Sequence, residues 1–407
     1  MLRHDQAVES IWWVVQVCGY AGPDVNRDDP TGPPCNGPTA RTEVTSVNPS
    51  RPTLADVARR AGVSVSTASL AFSGAGPIAA TTRDRVLAAA AQLAYPGPNP
   101  LGQQLRRGRS GIVGVVFGDR LRRSFRDPVS IQMLDGLAQT LGVHDVGILL
   151  IPSEAGEVPA LVAHAAMDAA VVLLCNGPDD EVVATLARRG IRMVVIEGDL
   201  GGPEEGASVA GSAGIATASV RIDDRRGTER LVRELCALGH ERFGVVSLPF
   251  GHDRRLGEPD PTRDPRSGYL PTRRRLAGIA DAGVAPEIVI ETPASLVEHG
   301  RSAGIEILSR PNPPTAIVAL SDLLASGVVL AARELGLRVP DDVSVAGFDG
   351  LDLPWLAPDV LTTVRQPLAE KGRQAGQAAI ALIEGRTVPD VVLPVEYQPG
   401  TTTAPPR

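Results

Sequence analysis

The chain has few of the residues and motifs on which many enzymes and membrane proteins depend. Aromatic residues make up 3% of its 407 residues, and Lys371 is its sole lysine. No apolar run reaches the roughly 18 residues that a membrane span requires. No G-x-G-x-x-G follows a strand and opens a helix, no G-x-x-x-x-G-K-[ST] loop occurs, and no Ser-His-Asp or metal cluster stands out. The sequence therefore predicts a protein that is not an enzyme and has no cofactor, metal or membrane partner.

Cysteines and the first fifty residues bear on the compartment. Cys18, Cys35, Cys175 and Cys236 are widely spaced and show no zinc-site spacing. The last two stand in apolar contexts that are typical of buried free thiols, which fits a reducing cytoplasm. Residues 1–50 join a short apolar patch to a Pro-, Gly- and Asp-rich stretch. We expect them to be either a disordered extension or a mis-assigned start.

Charge is distributed unevenly along the chain. The formal net charge is −7, yet residues 51–110 hold eight Arg and two Asp and so carry +6, which leaves −13 for the remainder. A basic segment on an acidic body is typical of a DNA-binding module joined to a domain with another role. The sequence thus places a contact with nucleic acid within this segment.

The stretch TLADVARRAGVSVSTASLAF, residues 53–72, has the pattern of two short helices joined by a tight turn. Thr53 and Asp56 have the spacing of a capping box. Gly62 suits the left-handed end of the first helix, and Ser64 suits the cap of the second. The second helix turns small polar side chains outward, as the helix that enters the major groove does in helix-turn-helix proteins. An ordinary helical hairpin is the alternative that this spacing leaves open.

Two further helices are predicted before residue 111. A third helix opening at Thr81 carries an apolar stripe that includes Val86 and Leu87 and can close a three-helix core. Residues 99–105, NPLGQQL, form a weak helix that needs a partner, because its apolar surface is small and Gly102 costs it about 1 kcal/mol. A leucine on such a helix can wedge between base pairs in the minor groove. A plain linker is the alternative.

These motifs resemble the DNA-binding head of the lactose-repressor/galactose-repressor (LacI-type) family of bacterial transcriptional regulators. TLADVARRAGVSVSTAS matches the family's helix-turn-helix nearly position for position, and NPLGQQL follows where its hinge helix stands. The resemblance implies a helix-turn-helix domain over residues 51–96, a hinge helix and linker over 97–110, and operator DNA as the partner. The implied DNA-contacting residues are Thr53, Val65, Ser66, Thr67, Ser69, Leu70, Asn99, Leu105 and Arg106.

Within that set the resemblance implies different roles. Val65, Ser66 and Leu70 occupy base-reading positions. Thr67 and Ser69 face phosphates, and Leu105 is the residue that inserts into the minor groove. The family often has Arg or His where this chain has Leu70, and a leucine can make only apolar contact, for instance with a thymine methyl. Gly102 replaces the usual alanine, so the hinge helix should depend strongly on DNA.

From residue 111 onward the pattern changes to alternating strands and helices. Continuous apolar runs such as IVGVVF are typical of strands in a parallel sheet that helices cover on both faces. Two series of such runs predict an α/β effector core of two doubly wound lobes over residues 111–400, with a cleft between them. The end, TTTAPPR at 401–407, is predicted to be a disordered tail. The predicted strands are 112–117, 146–151, 170–174, 193–196, 243–248, 287–290, 316–320 and 344–348.

The same resemblance extends over the core. RRRLAG, ALSDLLASGVVLAARELGLRVPDDVSVAGFDG and LTTVRQP are similar to the family's effector-binding domain, which resembles periplasmic sugar-binding proteins. It implies effector contacts from Glu197, Arg275, Asp322 and Asp349. A guanidinium and a carboxylate can share vicinal hydroxyls, so the expected effector is a sugar or related polyol. Two ordinary roles stay open, a surface helix charge for Arg275 and a helix N-cap for Asp322.

Together these features predict a cytoplasmic, homodimeric transcriptional regulator, usually a repressor. Its two heads would read a palindrome that mirrors the two-fold axis of the dimer. A small molecule bound between the lobes would change the affinity for DNA. The alternative is a solute-binding protein with a non-functional DNA-binding head, against which the +6 charge of residues 51–110 argues.

Overall fold

The chain divides into two units after Gly97. The predicted extension over residues 1–50 and the predicted hinge helix lie outside the described part of the chain. The computed structural model describes residues 52–74, 76–97, 108–118, 121–153, 158–173, 180–198, 216–251, 253–260 and 269–407.

The first unit is a small helical head made of α1 (Leu54–Ala61), α2 (Val65–Ser73) and α3 (Ala80–Gln92). The capping box of Thr53 and Asp56 is present, and α1 ends at Gly62 with φ 64°. The ends of α1 could be predicted from the sequence because the groups that cap a helix lie within a few residues of each other.

Small side chains make the core of this head. Val57 and Ala68 are fully buried and pack with the buried face of α3, which includes Val86 and Ala89. The prediction that Leu87 belongs to the apolar stripe of α3 is wrong. Leu87 is 40% exposed, because the buried face of α3 includes Ala89 instead.

Strands and helices alternate along most of the core unit. Its first elements are β1 (Ile112–Phe117), α4 (Leu121–Ser124), α5 (Pro128–Val143), β2 (Gly147–Pro152), α6 (Ala160–His164), β3 (Ala169–Leu173), α7 (Glu181–Arg188), β4 (Arg192–Ile196) and β5 (Thr217–Ile222). Next come α8 (Asp224–Ala237), β6 (Phe243–Ser247), α9 (Leu270–Asp281), β7 (Ile288–Glu291), α10 (Val297–Leu308), β8 (Ala316–Ala319), α11 (Asp322–Glu334) and β9 (Ser344–Ala346). The last are a 3-10 turn (Pro354–Leu356), β10 (Thr363–Arg365), α12 (Leu368–Ile383), β11 (Val391–Leu393) and β12 (Glu396–Gln398).

The first lobe is built on a parallel sheet. Within the described residues it has six strands in the order β11-β5-β4-β3-β1-β2. Strand β1 buries five of its six residues, as a central strand covered on both faces must. Helices α5 and α12 pack closely together on this lobe. A Cβ at Gly136 would lie 1.9 Å from the carbonyl oxygen of Ala369, so this approach requires glycine.

The second lobe repeats the design with fewer strands. In the described part of the chain its sheet has four parallel strands in the order β7-β6-β8-β9. Both sheets reverse their strand order beside their first strand, as β2-β1-β3 and β7-β6-β8. In such open sheets the crevice for a ligand forms at the carboxyl ends of the strands, at this reversal. The predicted doubly wound lobes are confirmed, and the topology fixes where a ligand is expected.

The predicted strands recur with bounds within two residues of those observed. Strands β5, β10, β11 and β12 were not predicted. Strand β5, TASVRI, alternates buried and partly exposed residues, and it follows a Gly- and Ala-rich stretch, so it lacks the continuous apolar run of its neighbours. The others are three residues long, which is too short for a pattern to show.

The prediction of a disordered tail over residues 401–407 is wrong. Thr402 is fully buried, its Oγ1 donates to the Val345 carbonyl oxygen at 2.7 Å, and its own carbonyl accepts from Val345 N at 2.9 Å. Strand β9 is an edge of its sheet, so its free main-chain groups are available to this segment. Composition reveals nothing of such pairing, which is why the Thr/Pro-rich end was misread.

Two smaller observations complete the fold. The prediction of a buried thiol at Cys236 is wrong, because this residue is exposed near the end of α8. Cys175 lies outside the described residues. No helix in the described part of the chain is long and apolar enough to cross a membrane.

Candidate DNA-reading helix and effector cleft

Helix α2 of the head turns one face to its neighbours and the other to solvent. Ser64 Oγ accepts a hydrogen bond from Thr67 N at 3.1 Å and lies 2.8 Å from Thr67 Oγ1, which fixes the first turn. Ala68 on the inner face is fully buried. On the outer face Val65 is 50% exposed and Ser66 is exposed. The start of α2 therefore offers a small, partly polar surface that can fit a groove.

The remaining residues of α2 in the predicted DNA-contacting set are less exposed. Thr67 and Ser69 are partly exposed. Leu70 is partly buried, and a Cβ at Gly76 would lie 3.1 Å from Leu70 Cδ2, so this leucine rests against the loop after α2. Only part of its side chain remains available to a base.

The other predicted DNA contacts have a structural role or lie elsewhere. Thr53 is exposed, and its Oγ1 donates to Asp56 at 2.7 Å as part of the cap of α1. Asn99, Leu105 and Arg106 lie outside the described residues, so their roles stay predictions.

A cavity of about 140 Å³ lies between the two lobes of the core. It touches residues at or just after the ends of β1, β3 and β6, which is where the sheet topology predicts a ligand. Its walls are mostly apolar with a few polar groups, as small-molecule sites usually are. The first lobe contributes Phe117, Gly118, Arg123, Ser124, Asp127, Ser130 and Leu173, and the second contributes Leu248, Pro249, Arg254, Tyr269, Pro271, Thr272, Ala294, Ser295 and Leu296.

Two arginines bridge the lobes beside this cavity. Arg254 Nη2 donates to the Gly118 carbonyl oxygen across the cleft at 3.0 Å, while its Nη1 donates to Pro293 O at 3.1 Å. Arg126 Nη2 lies 2.8 Å from Glu298 Oε1 in a half-exposed ion pair. Both contacts join a residue of the first lobe to one of the second.

Arg275 lies behind the cavity instead of on the surface. Helix α9 carries it inward to 4% exposure. Its Nη1 donates to Leu320 O at 2.5 Å and lies 3.6 Å from Asp349 Oδ1, and its guanidinium stacks 3.7 Å from the centroid of the Phe348 ring. The alternative of a surface helix charge is wrong. One turn earlier on the same helix, Thr272 does line the cavity.

Asp322 anchors the segment that follows β9. It is fully buried, its Oδ2 accepts from Leu351 N at 2.7 Å, and its Oδ1 accepts from Thr363 Oγ1 at 2.6 Å. The N-cap of α11 is Ser321, whose Oγ accepts from Leu324 N at 3.2 Å. The N-cap alternative for Asp322 is therefore wrong, since the residue before it already performs that role.

A chain of buried hydrogen bonds joins the other two predicted effector residues. Lys371 Nζ donates to Glu197 Oε1 at 2.8 Å and to Gln366 Oε1 at 2.7 Å, and Gln366 Nε2 donates to Asp349 Oδ1 at 2.7 Å. Glu197 at φ 50° and Asp349 at φ 136° hold a backbone conformation that L residues rarely adopt. Such strain concentrates at functional sites and costs about 1–3 kcal/mol each.

The four predicted effector residues thus meet in one buried cluster. We call this the buried network, and it comprises Glu197, Asp224, Arg274, Arg275, Asp322, Asp349, Gln366 and Lys371. None of the four predicted residues is among the described residues that line the cavity. Their contact with an effector stays a prediction, and in this structure each makes its polar contacts with the protein.

Burial changes the charge state of the network's carboxyls. It raises the pKa of Asp224 to about 7, with help from the charge of Glu197. It raises the pKa of Asp322 to about 6 and that of Asp349 to about 8, although Arg275 opposes both shifts. Asp224 accepts from Arg274 Nε at 2.9 Å. A buried carboxyl near neutral pKa exchanges protons in the physiological range, so this region is sensitive to the charge of its surroundings.

Sequence reasoning missed three residues that matter here. Lys371 carried a signal, because it is the sole lysine in a chain whose other 39 basic residues are arginine. Asp224 lies at the start of α8, and nothing in the sequence shows that this carboxyl is buried. Arg254 lies in a long polar loop, where no periodicity indicates which side chain points inward.

Comparison with known families matches both parts of the chain. Residues 53–99 match the model described as bacterial regulatory proteins, lacI family, and residues 232–403 match the model of a periplasmic binding protein-like domain. An HTH-type transcriptional regulator of Mycolicibacterium smegmatis is 32% identical over 88% of this chain and 98% of its own length. The HTH-type transcriptional regulator IpsA of Corynebacterium glutamicum is 31% identical over 87% and 98%.

Solved structures agree with the fold. A LacI family transcriptional regulator from Corynebacterium glutamicum is 28% identical, with a TM-score of 0.62 over 86% of this chain and 98% of that one. The lac repressor dimer bound to operator and the anti-inducer ONPF has a TM-score of 0.68 over 87% and 99% at 24% identity, and this likeness concerns the fold. Among the described residues, no group of three or more His, Cys, Asp or Glu is placed to hold a metal.

Proposed function

The chain belongs to the lacI family of bacterial regulatory proteins. We propose that it binds a palindromic operator as a homodimer, and that its affinity for the operator changes when a sugar or related polyol binds between the lobes. The relatives that match through both head and core are transcriptional regulators. The protein is accordingly a DNA-binding regulator of transcription, and the alternative of a solute-binding protein with a non-functional head is not favoured.

One observation carries the DNA-reading part of the proposal. Helix α2 is capped, packs by buried alanines, and turns Val65 and Ser66 outward at its first turn. In helix-turn-helix proteins the residues at the start of the second helix contact base edges. Val65 suits a thymine methyl, and the hydroxyl of Ser66 can donate or accept at a base edge.

A palindrome follows from the symmetry of the assembly that we propose. Two heads related by a two-fold axis present two identical α2 helices, so each reads one half of an inverted repeat. The lac repressor is a dimer when bound to its operator. We extend that arrangement to this chain and place the protein in the cytoplasm, where the DNA is.

Effector control rests on the two lobes. A ligand can shift the lobes only if it binds one arrangement more tightly than another. The contacts of Arg254 and Arg126 across the cleft belong to the arrangement seen here, so a ligand that favours or opposes them changes the equilibrium. By linkage, operator DNA must then change the ligand's affinity by the same factor by which the ligand changes the affinity for DNA.

The test is fluorescence anisotropy of the full chain on two duplexes of equal length. One carries the DNA upstream of the chain's own gene, and the other carries the same bases scrambled. We expect Ser66→Ala to weaken binding to the upstream DNA about fivefold, the equivalent of about 1 kcal/mol for one hydrogen bond, and to leave the scrambled duplex unaffected.

Ser73→Ala is the matched control. Ser73 is exposed at the far end of α2, so its loss should change neither affinity. Equal losses on both duplexes for Ser66→Ala would assign Ser66 to phosphate contact instead of base reading. Absence of any preference for the upstream DNA at several salt concentrations would count against the operator proposal itself.

A further inference from the structure

Helix α12 begins where the chain passes from the second lobe to the first. Val364 on β10 packs in the core of the second lobe. Gln366 and Pro367 follow, and Pro367 is the N-cap of α12. Buried side chains of α12, such as Ala375 and Leu382, pack with those of β1, β3 and β4 in the core of the first lobe. The crossing between the lobes is therefore at Gln366, and α12 is the helix that starts there.

Side chains tie the first turn of α12 to both lobes. Lys371 Nζ donates to Glu197 Oε1, at the end of β4 in the first lobe, at 2.8 Å. It also donates to Gln366 Oε1 at 2.7 Å, and Gln366 Nε2 donates at 2.7 Å to Asp349 Oδ1, beyond β9 in the second lobe. These four side chains are buried. A displacement of one lobe against the other must therefore stretch or break hydrogen bonds at the start of α12.

The other end of α12 is held by the segment that leads to the head. Ala381 O accepts from Arg386 N at 2.9 Å, and Leu382 O accepts from Gly385 N at 3.0 Å. Ile383 O accepts from Arg109 Nη2 at 3.0 Å, although Arg109 lies 274 positions earlier, in the predicted linker. A guanidinium suits this position because the carboxyl end of a helix carries a partial negative charge. Arg109 thus caps α12 from outside the helix.

Between its two ends α12 is closely packed. A Cβ at Gly372 would lie 1.9 Å from Met133 O, so the main chains of α12 and α5 are in direct contact. At about 1.5 Å per residue, Lys371 and Ile383 lie about 18 Å apart along the helix axis. Packed interiors have low compressibility and transmit strain. A displacement at the first turn of α12 is therefore passed to its last carbonyl groups.

We propose that α12 carries the arrangement of the lobes to the linker of the DNA-binding head, and that Arg109 is the positioning residue that joins the helix to the linker. The proposal rests on the proposed function and names the element through which effector binding acts on the head. A second anchor of the same segment provides a comparison. Asp168 accepts from Ser110 N at 2.6 Å and from Gly111 N at 2.8 Å, and it is not a member of the buried network.

The experiment is a double-mutant cycle on operator affinity. Gln366→Met removes the side chain that joins Lys371 to Asp349 and leaves the pair of Lys371 with Glu197 in place. Fluorescence anisotropy of the full chain on the upstream and scrambled duplexes gives the ratio of the two affinities. We expect Gln366→Met to change this ratio about fivefold or more in the parent. In Arg109→Gln the same substitution should change it less than about twofold.

The cycle separates coupling from a direct effect of charge. Each comparison is between two proteins with the same residue at position 109, so the loss of a positive charge beside DNA cancels. Residues that are far apart and share no partner normally have additive effects. Non-additivity between Gln366 and Arg109 therefore measures what α12 transmits.

Three further variants control the result. Ser110→Ala removes a hydroxyl that donates to Asp168 Oδ1 at 3.0 Å, and the effect of Gln366→Met should persist in it. Arg109→Lys keeps a cation that can donate to Ile383 O, so in this background Gln366→Met should change the ratio about threefold or more. Asp349→Asn changes the same link from the second lobe, and it replaces Gln366→Met if circular dichroism shows that variant to be unfolded.

The outcomes distinguish this proposal from the proposed function. An effect of Gln366→Met that is equal in the parent and in Arg109→Gln would overturn the role of Arg109. An effect that Ser110→Ala abolishes and Arg109→Gln spares would assign the coupling to the Asp168 anchor and also overturn it. In both cases a parent that prefers the upstream DNA leaves the proposed function intact. A parent without that preference would remove the proposed function, and this proposal with it.

Discussion

The reading face of α2 and four residues of the buried network were predicted from the same family resemblance, yet their surroundings in the structure differ. Val65 and Ser66 stand in solvent, where DNA can reach them. The four predicted effector residues of the core are at most 6% exposed and make their polar contacts with other groups of the protein. The matching motif therefore points to exposed side chains in the head, whereas in the core it points to side chains that the protein itself surrounds.

The difference follows from what each region must satisfy. The helices of the head satisfy their ends with local caps, so the outward residues of α2 remain free for a partner. In the core, charged groups are buried, and a buried charge is tolerated only when it is paired and hydrogen-bonded. The polar groups of the network therefore serve, in this structure, to balance one another's charge.

The largest effect that tests this contrast is the loss of Lys371. Lys371→Met removes the cation between Glu197 and Gln366 and leaves a buried carboxylate without its partner. Breaking a buried pair in this way costs about 3–5 kcal/mol. We expect a loss of that size in the free energy of unfolding of the core, measured by urea denaturation.

Two controls bracket that measurement. The double variant Lys371→Met/Glu197→Gln leaves no unpaired charge, and it should recover most of the loss. Arg386→Gln breaks an exposed pair with Glu384 and should change the stability by less than about 1 kcal/mol. A Lys371→Met protein as stable as the parent would show that the pair is not needed, and the electrostatic account of the network would fail.

Much of the head was predictable because its determinants are local. Thr53, Asp56, Gly62 and Ser64 each act within four residues of their own position, so spacing alone identifies their roles. The doubly wound lobes were predictable for a related reason, since a strand buried on both faces is recognisable in the sequence as a continuous apolar run.

The site of the core was not predictable in the same way. Nothing near Arg275 in sequence shows that Asp349 and Leu320 receive its guanidinium, because these contacts form only when the strands of the second lobe assemble. Arg254 reaches Gly118 across 136 positions of the chain. Such contacts depend on the packing of whole elements, and residue type alone does not encode them.

The pH dependence of stability should also differ between the head and the core, with a smaller effect than the loss of Lys371. The pKa values of Asp224, Asp322 and Asp349 are raised in the folded core from the ordinary value of 3.8, so the stability they contribute is fully present below that value and is lost progressively as pH rises through the folded values of about 6 to 8. Each proton that only the folded state holds gives a slope of up to about 1.4 kcal/mol per pH unit. We expect the free energy of unfolding of the core, measured in urea titrations, to fall as pH rises from about 4 to about 8 and to level off above that.

The head should behave in the opposite sense. The pKa of Asp56 is lowered by its hydrogen bonds with Thr53, so that contribution is present at neutral pH and is lost only on strong acidification. Asp349→Asn should flatten the slope of the core. Asp342→Asn should not, because Asp342 is paired with Arg338 at the surface and its pKa is lowered to about 2. A slope that Asp349→Asn leaves unchanged would exclude this carboxyl as its source.

The smallest effect concerns the cap of the reading helix. Ser64→Ala removes the oxygen that accepts from Thr67 N, and the loss of a serine N-cap costs about 1 kcal/mol. Hydrogen exchange of the full chain should show the amides in the first turn of α2 exchanging roughly fivefold faster, while amides of β1 and α12 in the core are unchanged. Because the cap is a contact between residues three positions apart, we expect its loss to act on the first turn of α2. A change in the exchange of β1 as large as that in α2 would mean that head and core share one unfolding unit, and the contrast between local and assembled sites would lose its basis.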